Sequence, residues 1–395
     1  MSDGIIIIGS GHAGGMTGIS LRQKKYEKPI LIIGAEKYYP YQRPALSKGY
    51  LLDQVNEDSL YLKTSSWYKK QEINIELNKR AKEIKRESKV VILEDGEEHK
   101  FEKIVIATGS KLNRLQFKCH NSNIFYLRTI DDAIKIKDAL NELKDIAIIG
   151  AGYIGLEIAS SAVKKNKRVT VIEMGNRVMG RSISKETSIF LQNKHESEGV
   201  NFQFNTSVKE IEDNKKQKKI TCTGGETIVA DCVILGLGVE ANTDLAIDAG
   251  IICNDGIVVD EFGITSDPNI YAAGDCTNHP NNILNRRLRL ESVHNAVEQA
   301  KTVASSIIGK PKAYNQVPWF WSDQYNIKIQ IAGISEEYDD IVKIMGKKNE
   351  SYSIFYFKKN RLLSVESINH QKGFLMGKRL IKERTESSLN LIKSL

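Results

Sequence analysis

Two sets of three glycines, Gly9, Gly11 and Gly14 and then Gly150, Gly152 and Gly155, are spaced to hold a pyrophosphate. In each set the first glycine permits a tight turn, and the second lets backbone N–H groups approach phosphate oxygens. The third lets a helix pack closely on a strand, with the helix N-terminus facing the anion. Each set follows an apolar run, residues 4–8 and 146–149, and precedes a helical stretch. One such motif is weak evidence. Two in one chain, each in a strand–turn–helix context, predict two dinucleotide-binding folds.

Such a fold ends its second strand on an acid that bonds ribose hydroxyls. In the second copy, residues 169–172 run into Glu173. An acid there repels a 2′-phosphate, so this copy reads as an NAD site rather than an NADP site. Arg177 and Arg181 follow closely and could soften that preference, although solvated side chains are the simpler expectation. In the first copy, residues 30–33 lead to Gly34-Ala35-Glu36. The expected acid is Glu36, or it is displaced by one place because Ala35 carries no charge.

The elements that must position these residues are those of a multi-domain α/β chain of 395 residues, 41% of them hydrophobic. No apolar run approaches the roughly 20 residues that span a bilayer, and the first residues lack a basic signal-peptide region. A soluble, cytoplasmic protein, monomer or weak dimer, is expected. Five scattered cysteines form no C-x-x-C pair, which disfavours a disulfide framework, a zinc site and a dithiol motif. No metal ligand set is assigned. The net charge of +8 suits an anionic surface or an acidic protein partner. Nucleic acid is disfavoured, because no binding motif accompanies the charge.

Further segments narrow the class. Residues 103–109 and 232–238 read as buried strands ending in small-residue turns, and residues 265–275 end a strand on Gly274-Asp275. This arrangement resembles the flavoproteins in which an NAD domain is inserted into an FAD domain. Tyr41-Gln42-Arg43-Pro44-Ala45-Leu46-Ser47-Lys48, Tyr126-Leu127-Arg128-Thr129, Glu291-Ser292-Val293 and the aromatic stretch 318–325 are similar to segments of the ferredoxin reductases that serve oxygenases. That group includes the reductases of putidaredoxin, rubredoxin and dioxygenase ferredoxins. Ala45 departs from its usual second proline, and Ala35 stands where several relatives carry the ribose acid.

The resemblance implies that Gly9, Gly11, Ala13, Gly14, Glu36, Lys48, Ala81, Arg128, Asp275 and Val293 line FAD, with Asp275 on the ribityl chain. It implies that Gly150, Gly152, Tyr153, Ile154, Gly155, Glu173 and Gly238 line NAD(H). Lys48, paired with Glu157, is expected at the reactive edge of the flavin, where a cation stabilises the negative charge that arrives with hydride. Glu291 is expected near the nicotinamide, and Trp321 near the ring system. His294 is read as a packing or hydrogen-bonding residue rather than a proton donor.

The function so implied is hydride transfer from NADH to FAD, followed by delivery of single electrons to a small acidic iron–sulfur carrier, a ferredoxin or rubredoxin. Arg286, Arg287, Arg289 and Lys301 are candidates for a docking patch, or are ordinary solvated charges. Thiol-dependent relatives place a cysteine near the flavin, whereas the first cysteine here is Cys119. Two other readings stay open. One is a signalling or assembly flavoprotein like apoptosis-inducing factor; the other is an NADH reductase of quinones or dyes. The expected architecture is α/β, with two Rossmann-like domains and a C-terminal α/β interface domain. Residues 1–111 with 240–316 form the FAD domain, 112–239 the inserted NAD domain and 317–395 the third. Within the third, four antiparallel strands and a helix over 377–395 are predicted.

Overall fold

The computed structural model describes residues 4–115, 117, 122–385 and 388–393. The chain forms two compact units. The first draws on the chain up to Gln42, on Leu60–Lys111 and on Glu240–Trp319; the second takes Arg43–Ser59, Leu112–Val239 and the chain from Phe320 onward.

The first unit is organised by the strand Gly4–Ile8, whose five residues are all buried. A run of isoleucines without alternation suits a strand covered on both faces, as in a parallel sheet. It pairs in parallel with Ile30–Ile33 on one side and Glu98–Ile106 on the other. Ile73–Glu76 extends the first side, and Ile270–Ala272 joins Glu98–Ile106. The chain therefore leaves the central strand toward opposite edges, which opens a crevice at the carboxyl end of that strand. The helix His12–Gln23 packs against the helix Val293–Ile307.

The second unit repeats the plan. Its parallel sheet runs Val200–Gln203, Arg168–Ile172, Asp145–Ile149, Cys232–Leu235 and Ile124–Tyr126. A small antiparallel sheet of Val208–Asn214, Gln217–Cys222 and Thr227–Ala230 lies beside it. Lys215 and Lys216 form the turn of that hairpin, the rest of the lysine-rich stretch lies in its second strand, and Lys218 pairs with Asp213.

From Phe320 onward the same unit holds a five-stranded sheet in the order Trp319–Gln324, Ile327–Gly333, Arg361–Ile368, Tyr352–Lys358 and Asp340–Met345. Its pairings from Ile327–Gly333 onward are antiparallel. The helix Gln371–Glu383 lies against it, and a Cβ on Gly377 would come 2.5 Å from Val365 Cγ1. Glycine is what lets helix and sheet approach so closely.

Three features differ from the sequence expectation. The aromatic stretch supplies a fifth strand, Trp319–Gln324. The predicted helix starts earlier, at Gln371, and is interrupted after Glu383, where Arg384 adopts a left-handed φ of 51°, before a short helix Ser388–Lys393. Arg43–Ser59 belongs to the second unit rather than with the rest of the first dinucleotide fold. Its anchor is Ser47, whose carbonyl accepts from Ser161 Oγ at 2.9 Å.

Candidate functional site

In the first turn Gly9 has φ +113°, and a Cβ there would lie 2.2 Å from the carbonyl oxygen of Ala107. A Cβ on Gly14 would lie 1.8 Å from the carbonyl oxygen of Gly9. No side chain can be added at either place without moving backbone. Gly11 has nothing within 4 Å of its Cβ direction, so the turn leaves space there. The helix it starts carries no side-chain cap, which suits an anion as its acceptor. Glu36 lies just beyond the second strand, Ile30–Ile33, and accepts a hydrogen bond from Tyr41 Oη at 2.6 Å.

Asp275 reaches the same turn through its neighbour. Gly274, at φ +91°, packs so closely that a Cβ would lie 2.8 Å from Ala13 Cβ, and its N–H donates to Gln299 Oε1 at 2.7 Å. Asp275 accepts from Ser110 Oγ at 3.3 Å. Val293 opens the helix Val293–Ile307, capped by Ser292, and Glu291 pairs with Arg289. Ala81 begins a strand opposite Leu93. Gly9, Gly11, Ala13, Gly14, Glu36, Ala81, Asp275, Glu291 and Val293 all belong to the first unit.

The second turn repeats the first. Gly150 has φ +103° with a Cβ position 2.4 Å from the carbonyl oxygen of Gly236. A Cβ on Gly155 would meet the carbonyl oxygen of Gly150 at 2.1 Å, and Gly152 again has nothing within 4 Å. Glu173 accepts from the N–H groups of Ala151 and Gly175, both at 2.7 Å. Arg177 is not solvated as expected: its guanidinium donates to the carbonyls of Gly180, Ile183 and Ser184. Arg181 is exposed, and its guanidinium lies 3.8 Å from the Cβ position of Gly238, which has φ +81°. Tyr153 rests on Phe320 with ring centroids 4.2 Å apart, while Ile154 is exposed. Arg128 accepts from Arg43 at its carbonyl and donates its N–H to Asp132 Oδ2 at 3.1 Å.

Lys48 and Glu157 meet in the second unit, Nζ to Oε2, at 2.8 Å. Glu157 is only 3% exposed and also accepts from Ser322 Oγ at 2.6 Å and from Ser47 Oγ. Burial pushes its carboxyl above the ordinary value, while Lys48 and the two serines oppose that push. Lys48 donates additionally to the carbonyl of Pro44 at 3.0 Å. Trp321 sits on the same strand as Ser322, beside Phe320 with centroids 6.1 Å apart.

Sequence reasoning did not find Ser47 and Ser322 as partners of Glu157. Both lie inside quoted segments, but a hydroxyl that serves a carboxylate more than 100 positions away leaves no local signal.

The other candidates resolve plainly. Cys276 is buried, its thiol pushed up to about 11 by burial, and it donates to the carbonyls of Ala273 and Ile106. The described cysteines are all unpaired, and Cys119 lies outside the described residues. Arg287 is held by Asn278 and Val259, Arg289 by Asp255 and Glu291, and Lys301 by Glu298. The His294 ring lies tilted at 51° against Trp319, with centroids 5.5 Å apart. Glu76, Glu97 and His99 bring one ligand atom each within 4.8 Å, but Lys79 already supplies a cation to Glu97. Among the described residues no helix is long and apolar enough to cross a membrane.

Residues 3–300 match the family described as pyridine nucleotide-disulphide oxidoreductase. The chain belongs to that family. Residues 319–392 match the reductase C-terminal family. Putidaredoxin reductase CamA of Pseudomonas putida is 36% identical, over 99% of this chain and 94% of its own length. A rubredoxin-NAD(+) reductase of Pseudomonas putida is 37% identical over 93% of this chain and 96% of its own. The covalent putidaredoxin reductase–putidaredoxin complex superposes with a TM-score of 0.92 at 35% identity, covering 98% of this chain and 95% of that one. These are full-length likenesses to reductases, as the sequence motifs imply. They also explain the family name beside the cysteine record: the dinucleotide folds are shared, and no paired thiol accompanies them among the described residues.

Proposed function

We propose that this protein is an FAD flavoprotein that takes hydride from NADH and passes single electrons to an iron–sulfur carrier. The observation that supports this most is the pair of glycine turns of one geometry, each with a glutamate at the end of the following strand, in a chain that aligns end to end with reductases of such carriers. The residues fit the two cofactors. A Cβ would collide with a backbone carbonyl at Gly9, Gly14, Gly150 and Gly155, whereas Gly11 and Gly152 face open space where a phosphate can approach.

Bound FAD supplies the conversion of a two-electron donor into one-electron deliveries. The chain's own residues do the rest. Gly9, Gly11 and Gly14 cradle the FAD pyrophosphate, Glu36 holds the adenosine ribose, and Asp275 bonds the ribityl hydroxyls. Ala13, Ala81, Arg128 and Val293 complete the lining. Gly150, Gly152 and Gly155 hold the pyrophosphate of NADH, with Tyr153, Ile154 and Gly238 beside it. Glu173 bonds the ribose hydroxyls and repels a 2′-phosphate. The guanidinium of Arg177 is committed to three carbonyls, so those N–H groups are not offered to a 2′-phosphate. Lys48 supplies the cation that balances the negative charge gained on reduction, and Glu157 holds it. Glu291 and Trp321 are assigned to the nicotinamide and the flavin ring.

The partner is a ferredoxin or rubredoxin of acidic surface, drawn by the net charge of +8. Because Arg287, Arg289 and Lys301 are internally paired, steering rests on the summed field more than on that cluster. The test is NADH-driven reduction of a [2Fe-2S] ferredoxin at rising salt. The account expects turnover with ferredoxin that slows as salt screens the encounter. Flavin reduction by NADH without electron delivery to any ferredoxin or rubredoxin would favour the signalling reading instead.

A further inference from the structure

Glu157 is the inner end of a longer chain of polar side chains, all in the second unit. Ser322 Oγ lies 2.6 Å from Glu157 Oε1, and Gln324 Nε2 lies 3.0 Å from Ser322 Oγ. Gln324 Oε1 lies 2.8 Å from His195 Nε2, and His195 Nδ1 lies 2.9 Å from Tyr325 Oη. Ser322, Gln324 and His195 are buried, with exposures of 0%, 2% and 0%.

The direction of every bond follows from the carboxylate. An ionised Glu157 can only accept, so Ser322 spends its one hydroxyl hydrogen there. Toward Gln324, Ser322 must then accept, which presents the amide N–H₂ of Gln324 to Ser322 and its carbonyl oxygen to His195. That oxygen requires a proton on His195 Nε2. Burial holds the imidazole neutral, with its pKa lowered to about 4, so Nδ1 is bare and accepts from the Tyr325 hydroxyl. The four bonds point one way and polarise one another toward the carboxylate.

The far end is built to stay in place. Tyr325 adopts a left-handed φ of 53°, a strained state for a bulky residue. Its N–H donates to Ser160 Oγ at 2.7 Å, and its carbonyl accepts from Lys164 Nζ at 3.0 Å. Ser160 and Lys164 lie on the helix Tyr153–Lys164 that carries Glu157. Both ends of the polar chain are thus fastened to one helix.

We propose that Tyr325, His195, Gln324 and Ser322 are positioning residues that keep the Glu157 carboxylate ionised and aimed at the Lys48 ammonium. The inference rests on the reading of Lys48 as the cation that serves the flavin. Among the described residues, the charged and titratable groups facing this network include Lys48 and Tyr153 around Glu157, Lys194 and Glu198 around His195 and Tyr325, and Lys164 at the Tyr325 carbonyl.

The experiment follows the ionisation of Glu157 by carboxyl NMR or difference infrared spectroscopy across pH, in the full-length protein. Ser322→Ala removes the hydroxyl that donates directly, Gln324→Leu breaks the second bond, and His195→Phe breaks the third. Ser322→Thr keeps the hydroxyl. The expected result is an upward shift of the Glu157 titration by about one pH unit in Ser322→Ala, the size of a lost hydrogen bond to a charge. The shift falls stepwise through Gln324→Leu and His195→Phe, and Ser322→Thr restores the parent value. In histidine ¹⁵N spectra His195 carries its proton on Nε2. The acid limb of NADH-driven flavin reduction should move in the same order.

An unchanged Glu157 titration in Ser322→Ala, or an Nδ1-protonated His195, overturns the proposal whatever Lys48 does. Titrations that move while the flavin pH profile stays fixed uphold the positioning chain and sink the role given to Lys48. Equal shifts in all three variants indicate a loosened fold rather than a directed chain, and also overturn it.

Discussion

The two glycine turns are near copies in backbone and differ in how their acids are held. Gly9 and Gly150 sit at φ +113° and +103°, and Gly14 and Gly155 close on the same carbonyl of their own turn. Glu173, however, is bonded by two backbone N–H groups, one of them from Ala151 inside the turn. Glu36 accepts from a side-chain hydroxyl, that of Tyr41. A backbone-held carboxylate is fixed by the fold itself. One held through Tyr41 depends on the placement of a neighbouring loop residue. The turn is what any dinucleotide site needs, and the mode of holding the acid is where the two sites were free to diverge.

The sharpest way to separate the sites is to break one turn at a time. Gly9→Ala places a Cβ on the Ala107 carbonyl at a positive φ. It should yield a folded but colourless protein, or one that does not accumulate, as read by flavin absorbance and circular dichroism. Gly150→Ala meets the Gly236 carbonyl in the same manner. It should keep its flavin while losing reduction by NADH. Loss of flavin from Gly150→Ala would erase the distinction between the two sites.

The acids come next. Glu173→Ala should raise the KM for NADH about 10- to 100-fold, the size of hydrogen bonds to a charged group. It should narrow the preference over NADPH and leave flavin content unchanged. Glu36→Ala should instead weaken FAD retention with little effect on nucleotide choice.

The units also differ in their buried histidines. His195 has partners at both ring nitrogens, whereas both ring nitrogens of His279 are buried without a hydrogen bond. Burial lowers both to about 4 from an ordinary 6.5. As pH falls through the ordinary value the unfolded chain takes up these protons, and the folded chain does so only near the lower one. Stability from both groups is full at neutral pH and is lost on acidification across that window, by on the order of a few kcal/mol in all. Urea unfolding at neutral and mildly acidic pH checks this, and His279→Phe should flatten part of the slope. The smallest effect is expected of Tyr41→Phe, which removes the bond to Glu36 at a cost of about 1 kcal/mol. It should loosen FAD slightly and leave NADH binding untouched.

What could be read from the sequence was local. The glycine spacing, the strand ahead of each turn and the acids Glu36 and Glu173 lie within one strand–turn–helix–strand unit, so residue types alone locate them. The Gly274-Asp275 strand end was legible because small residues there must let a backbone pass close to Ala13. What stayed hidden was set by distant contacts. Arg43–Ser59 joins the second unit through Ser47, Ser161 and Glu157, and no periodicity announces that. Trp319–Gln324 reads as an aromatic cluster until a neighbouring strand pairs with it. The helix boundary at Gln371 was missed because His370 and Gln371 carry no capping signature, and His370 makes no side-chain cap. His195 drew no reading from the sequence. Its meaning comes from Gln324 and Tyr325, about 130 positions away.

The most direct test of the central claim is anaerobic stopped-flow mixing of the FAD-reconstituted protein with NADH and, separately, with NADPH, following the oxidised-flavin band near roughly 450 nm. The account predicts rapid bleaching by NADH and slow or no bleaching by NADPH. A protein that stays colourless after reconstitution, or a flavin that neither nucleotide reduces, contradicts it.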